Sequence, residues 1–249
     1  MRKLLFCRTL PHFAFELLER YFRVEIEGEE NLPRSGPAIL LPNHSGFLGL
    51  DALLLSHWVC KSRGRVPRIM LHKLWFQGGL LRRTARSFGF VEASYEAGRA
   101  ALERKKLLML FPEGEEGNFK PTSERYELRD FRKGFVRLAA ETGAPVIPVL
   151  IIGAEESNLT VAQVRLFNQV LPLPLNLLPL PAKWKIKFLP PIFAEPRRRT
   201  EAIRAFASKV RGEMQLVLKK ELARRDYVYF KKPNVSPRKR HGADNNIYL

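Results

Sequence analysis

One histidine and one acid, His44 and Asp51, bracket the segment NHSGFLGLD, residues 43–51. About seventy positions further on, the segment LFPEG, residues 110–114, brings Glu113 and a glycine. A histidine is suited to take a proton from an attacking hydroxyl, because its unperturbed pKa lies near neutrality. It needs a partner that fixes its tautomer and steadies the imidazolium that forms, and a carboxylate can do both. His44 and Asp51 are the candidate pair, and their spacing constrains how they meet. Six residues lie between them. In a continuous helix, positions seven apart share a face but lie roughly 10 Å apart along the axis, too far for a hydrogen bond. The pair therefore requires a segment that folds back. Gly46 and Gly49 permit a tight excursion. A compact turn over residues 45–49 is expected, with helix from near Leu50. The competing reading makes Asp51 only a cap of that helix.

Both segments must be positioned by what precedes them. Residues 38–41 and 107–111 are apolar runs that read as buried strands. His44 and Glu113 then sit at strand ends, where an open sheet can build a catalytic crevice. Further strands are expected over residues 22–27, 68–71, 87–92, 146–152 and 184–188, and a turn over 31–36. Helices are expected over residues 51–60, 75–87, 95–106, 131–143 with Gly143 as the stop, and 201–224. In the last, Ile203, Phe206, Ala207, Val210, Met214 and Val217 follow the helical period. Strands alternating with helices argue for the α/β class. The polar stretch 113–129 reads as a long loop of the kind that carries function. There are no internal repeats.

Two apolar segments stand outside this scheme. Residues 4–21 read as one or two short helices broken by Pro11, with Leu4, Leu5, Phe6, Phe13, Phe15, Leu17 and Leu18 among basic residues. That composition suits either an interfacial helix or one that covers the core. Residues 166–181, LFNQVLPLPLNLLPLP, hold four prolines, which exclude a regular helix or a central strand. An apolar loop is expected there, touching lipid, lining an acyl groove or wrapped on the domain.

Composition bounds the partners. The 249 residues allow one domain, and the hydrophobic share of 45% supplies a core. Lys and Arg number 43 against 25 Asp and Glu, a formal charge of +18. Such a surface seeks polyanions, nucleic acid or an anionic membrane face. No helix-turn-helix, RNA-binding aromatic motif or zinc-finger spacing occurs, so nucleic acid is not expected. The two cysteines, Cys7 and Cys60, make no disulfide framework. The apolar run at the N-terminus is too short for a signal peptide, and no stretch approaches the ~18 apolar residues of a spanning helix. Ser45 lacks the G-x-S-x-G context of a hydrolase nucleophile. His12, His57, Cys60 and His72 read as packing residues, since two ligands on one helix do not make a zinc site.

Together NHSGFLGLD and LFPEG resemble the glycerolipid and lysophospholipid acyltransferase superfamily, whose hallmarks are a His-x4-Asp motif and an FPEG motif. The run PTSERYELRDFRKGFVRLAAETGAPVIPVLIIGAEES is similar to a bacterial subgroup of it. The likeness spans about residues 22–193. It implies an α/β fold with a central mixed, largely parallel sheet flanked by helices and an N-terminal helical segment. It divides the chain into an N-terminal interfacial helical segment (1–21), an acyltransferase domain (22–230) and a basic disordered tail (231–249). It implies transfer of a fatty acyl group from acyl-CoA or acyl-acyl carrier protein to a glycerolipid hydroxyl, with His44 and Asp51 catalytic. Asn43, Phe111, Pro112, Glu113 and Gly114 would position the acceptor, and backbone N–H groups of the glycine-rich turn would face the oxyanion. No metal or organic cofactor is implied beyond the acyl donor. The enzyme would lie peripherally on the cytoplasmic face of the inner membrane, held by anionic lipid, and would not be secreted.

The chain departs from that pattern at three places. The spacer between His44 and Asp51 is two residues longer. Glu115 and Glu116 stand where lysophosphatidate-using members carry Thr and a phosphate-binding Arg, and Glu92, Ala93 and Ser94 stand where an Arg is common. Carboxylates repel phosphate. Either the acceptor is neutral, a monoacylglycerol or diacylglycerol, or other cations replace the clamp. Lys120 and Arg125 are the first candidates, with Arg129, Arg132 and Lys133 beside them, unless these form a solvated basic loop. The reading from another class is a non-catalytic basic protein that binds membrane surfaces.

Overall fold

The computed structural model of the chain describes residues 9–45, 49–72, 76, 78–166, 169–195 and 199–230. The expectations for residues 4–8, for the turn at 46–48 and for the tail 231–249 lie outside them.

The apolar runs form the middle of a seven-stranded sheet with strand order β1-β9-β6-β2-β5-β3-β4. Its strands are β1 (Glu25–Glu27), β2 (Ala38–Pro42), β3 (Arg68–Leu71), β4 (Phe90–Glu92), β5 (Leu107–Met109), β6 (Val146–Ile152) and β9 (Lys185–Phe188). The five strands from β6 to β4 run parallel. β9 is antiparallel to β6, and β1 is parallel to β9, so that edge runs the other way. β2 and β6 are buried throughout because both faces of the sheet are covered. Side chains divide by alternation. Ile39, Leu41, Leu108 and Leu150 face one core, with α4 (Tyr95–Glu103), α6 (Gly134–Thr142) and α8 (Thr200–Ala223) packed on it. Ala38, Leu40, Leu107 and Met109 face the other, covered by α2 (Leu50–Arg63) and by Phe15 of α1 (Thr9–Tyr21).

The helices follow their sequence signals. Ser94 caps α4 by accepting the Ala97 N–H at 3.1 Å. In α8, Ile203, Ala207, Val210, Met214 and Leu218 are buried at three- and four-residue steps. α3 (Gly79–Ser87) packs beside β4.

Three expectations are corrected. Pro11 does not break the N-terminal helix, which runs unbroken from Thr9. The φ that proline fixes is itself a helical one. The proline-rich stretch is not a loop throughout. Its first part is β8 (Gln169–Pro174), which pairs antiparallel with β7 (Thr160–Leu166) in a separate two-stranded sheet. Pro172 and Pro174 lie opposite Gln163 and Thr160. Two residues apart, they share one side of an edge strand, where missing N–H groups leave the ladder intact. Finally, the stretch 113–129 contains α5 (Gly114–Asn118) and a 3-10 turn, Thr122–Glu124.

Candidate active site

β2, β5 and β6 are neighbours and parallel, so the residues that follow them emerge at one end of the sheet. Asn43 ends β2. Its side-chain amide donates to the Ile151 carbonyl at 3.0 Å and its Oδ1 accepts the Ile151 N–H at 2.7 Å. Asn43 thus continues the β2–β6 ladder with a side chain, and this fixes where the next residue, His44, begins.

His44 Nδ1 lies 2.8 Å from Asp51 Oδ2. The intervening chain is not helical up to Ser45, and α2 starts at Leu50 after Gly49, whose φ of 64° is open to glycine. The two side chains thus meet across seven positions without a continuous helix between them. Asp51 also accepts the Ser45 N–H at 2.9 Å and the Ala52 N–H at 2.7 Å. Its carboxylate is fully buried and saturated with donors, and it sits in the first turn of α2, where negative charge is favoured. A carboxylate on Nδ1 selects the Nδ1–H tautomer and leaves the Nε2 lone pair as the basic site. The His44 side chain keeps 16% of its surface exposed. Its ring stacks on Phe111 with centroids 4.0 Å apart.

Glu113 ties the two segments together. Its Oε1 accepts the His44 backbone N–H at 3.0 Å and its Oε2 accepts the Arg129 N–H at 2.8 Å. The carboxylate is turned inward and holds the protein's own backbone. Gly117, one turn along α5, makes room for it: a Cβ there would stand 2.3 Å from Glu113 Cβ. Pro112 is buried, and its carbonyl accepts the Arg132 N–H at 2.8 Å. The Arg132 guanidinium lies over Gly114, 2.7 Å from where a Cβ would stand.

The two cations expected first at the acceptor are differently disposed. Lys120 is buried, 3.2 Å from Glu155 Oε1 and 3.6 Å from Glu113 Oε2, and it donates to the Glu127 carbonyl. Arg125 is exposed and donates to the Thr122 carbonyl at 3.3 Å. The structure thus brings Asn43, His44, Asp51, Phe111, Pro112, Glu113, Gly114 and Lys120 together and leaves Arg125 at the rim.

Sequence reasoning missed a buried polar cluster behind the site. After β6, Glu155 accepts the Tyr126 N–H at 3.0 Å, and burial pushes its carboxyl up to about 7 against the pull of Lys120. Burial, with Glu156 beside it, pushes the Tyr126 phenol well up, so it stays protonated and donates to Glu156. Arg225 closes the cluster at 2.7 Å from Glu156. The available signal was two acids directly after an apolar strand next to β2.

Comparison with known proteins is consistent with this geometry. The Acyltransferase family profile matches residues 23–152. An uncharacterised protein of Mycobacterium tuberculosis is 33% identical over 244 residues, covering 90% of this chain and 67% of that protein. A chloroplastic 1-acyl-sn-glycerol-3-phosphate acyltransferase of Arabidopsis thaliana is 28% identical over 156 residues, covering 59% of this chain and 42% of that protein. Among solved structures, the 1-acyl-sn-glycerophosphate (LPA) acyltransferase PlsC from Thermotoga maritima superposes with a TM-score of 0.58 at 18% identity. The superposition covers 87% of this chain and 83% of that one, which makes the fold PlsC-like. Since the family profile takes in more than half of the chain and runs through both strand-end segments, this protein belongs to the Acyltransferase family and is an acyl-transferring enzyme.

Proposed function

We propose that the enzyme moves a fatty acyl group from acyl-CoA or acyl-acyl carrier protein to a hydroxyl of a glycerolipid. The observation that carries this reading is the His44 Nδ1 to Asp51 contact of 2.8 Å, with Nε2 left as the basic nitrogen. The acceptor hydroxyl gives its proton to Nε2 as its oxygen attacks the thioester carbonyl. The tetrahedral intermediate then expels the thiolate, and the imidazolium returns the proton to sulfur. Asp51 steadies the imidazolium throughout. No enzyme nucleophile is needed, because both substrates are held together.

A lipid surface fits the exterior. Phe13, Leu17 and Tyr21 lie at four-residue steps on the outer face of α1 and are exposed. Tyr21 donates to the Pro179 carbonyl at 2.8 Å, which joins this ridge to the loop carrying exposed Leu175, Leu177 and Leu178. Among the described residues no helix is long and apolar enough to cross a membrane. An apolar ridge on a chain of charge +18 suits peripheral contact with anionic lipid at the cytoplasmic face.

Two acceptors remain in view. Glu115 and Glu116 favour a neutral one. A phosphate-bearing lysolipid is favoured by Arg132, whose guanidinium lies on the FPEG glycine. The test of the reaction is thiol release from acyl-CoA in the presence of a monoacylglycerol or lysophosphatidate. Release is expected with the wild type and lost with His44→Ala. Equal rates for the two would favour a non-catalytic membrane binder.

A further inference from the structure

Against Ser45, the residue after His44, the structure holds a small polar chamber that the proton transfer does not use. Ser45, Asn118, Lys120, Glu155 and Asn158 line it. Three of the lining side chains carry a buried oxygen that takes no hydrogen bond from any described group: Ser45 Oγ, Asn118 Oδ1 and Asn158 Oδ1. Ser45 and Asn158 are themselves more than nine-tenths buried. Leaving such atoms without partners is costly, about 1–3 kcal/mol each. These residues reach the chamber from three places, the segment after β2, the end of α5 and the segment after α7 (Ala154–Ser157).

Their chemistry selects what can enter. The two amide oxygens are acceptors only, and the serine hydroxyl accepts as well as donates. Glu155 adds a carboxylate to the wall, already engaged with Lys120. A phosphate, with its four oxygens, is too large for the chamber. An ammonium group would meet Lys120. The free space has room for one water-sized group. A hydroxyl meets all these conditions, since it donates to an amide oxygen and accepts from Ser45 or from Lys120.

We propose that this chamber receives a second hydroxyl of the acceptor, so that the enzyme prefers a monoacylated glycerol head with two free hydroxyls. One hydroxyl reacts at His44 and the other is held by Ser45, Asn118 and Asn158. Ser45 directly follows His44, so one short backbone segment positions both subsites. The inference rests on the acyl-transfer reading above, and it names the acceptor class that reading leaves between neutral and phosphorylated lipids.

The experiment compares 1-monooleoylglycerol with the 1-oleoyl ester of propane-1,2-diol, which lacks only the terminal hydroxyl. Lysophosphatidate is the third acceptor, and the full chain is used with one acyl-CoA donor. A kcat/KM for the glycerol ester roughly tenfold or more above that for the propanediol ester is expected. In Asn118→Leu and Ser45→Ala that ratio should fall toward one, through KM for the glycerol ester. Asn158→Leu is a third variant should either of these fail to fold. Equal kcat/KM for the two esters, or an unchanged ratio in the variants, overturns the chamber assignment while acyl transfer stands. Transfer to lysophosphatidate alone does the same. Transfer to no glycerolipid by wild type overturns both.

Discussion

Asp51 accepts three hydrogen bonds, from His44, Ser45 and Ala52, and that number decides what its replacement does. In Asp51→Asn one of the two oxygens becomes an NH2 group, which cannot accept. Either His44 adopts the wrong tautomer or a backbone N–H loses its acceptor. Acyl transfer should fall about 10³- to 10⁴-fold in kcat, with KM changed far less, in steady-state thiol-release assays. Gly117→Ala acts through a neighbour. Its Cβ would collide with Glu113 and displace the carboxylate from the His44 and Arg129 N–H groups. A loss of about 1–3 kcal/mol in denaturant unfolding is expected, together with a fall in kcat. At this scale the contact between His44 and Asp51 was legible, because their types and the glycines between them admit few other arrangements. The inward turn of Glu113 was not. An acid after a strand reads the same whether it faces a ligand or its own backbone, and only the bulk at position 117 decides. Asn118, Glu155 and Asn158 were silent for the same reason.

The elements were largely legible where hydrophobic period is strong, as in β2, β6 and α8, and failed at prolines. Pro11 and the prolines of β8 were read as breakers, yet Pro11 lies within α1, and the β8 prolines sit on the outer side of an edge strand, where their missing N–H groups would bond to nothing. Neighbouring structure settles such cases. Asn43 is a similar case, an amide that extends the β2–β6 ladder where backbone pairing ends. The outward ridge of α1 and the loop beyond β8 lead to a prediction at this scale. Leu177 and Leu178 are exposed by 76% and 82%, so replacing both with serine should leave the unfolding midpoint nearly unchanged. The same double variant should sediment less with anionic phosphatidylglycerol vesicles than the wild type. Equal sedimentation would remove the loop from the proposed lipid contact.

For the molecule as a whole, the polar cluster behind the site sets a pH dependence opposite to that of the surface ion pairs. Glu27 is held below its ordinary value of 4.5 mainly by Lys185 and Lys187. Burial works against ionisation of Glu221, but the same two lysines outweigh it and hold that carboxyl low as well. Groups of this kind contribute stability above pH 4.5 and lose it as pH falls below. Glu155 runs the other way. Its carboxyl is raised from 4.5 to about 7 by burial, with Glu113 adding repulsion and Lys120 and the Tyr126 N–H opposing. The native chain therefore binds this proton more tightly than the unfolded chain does. Stability from Glu155 is complete below pH 4.5, declines as pH rises toward 7 and is flat above it. The full span is on the order of 3 kcal/mol. Glutamine at 155 has one acceptor oxygen in place of two, so either Lys120 or the Tyr126 N–H loses its acceptor, and it carries no charge to bury. Glu155→Gln should thus be less stable than the wild type near pH 5, and in chemical denaturation that deficit should shrink between pH 5 and 7 and stay level above. A constant difference across that range would mean that Glu155 does not exchange its proton on unfolding, and the buried pairing with Lys120 would then have to be that of a permanent ion pair.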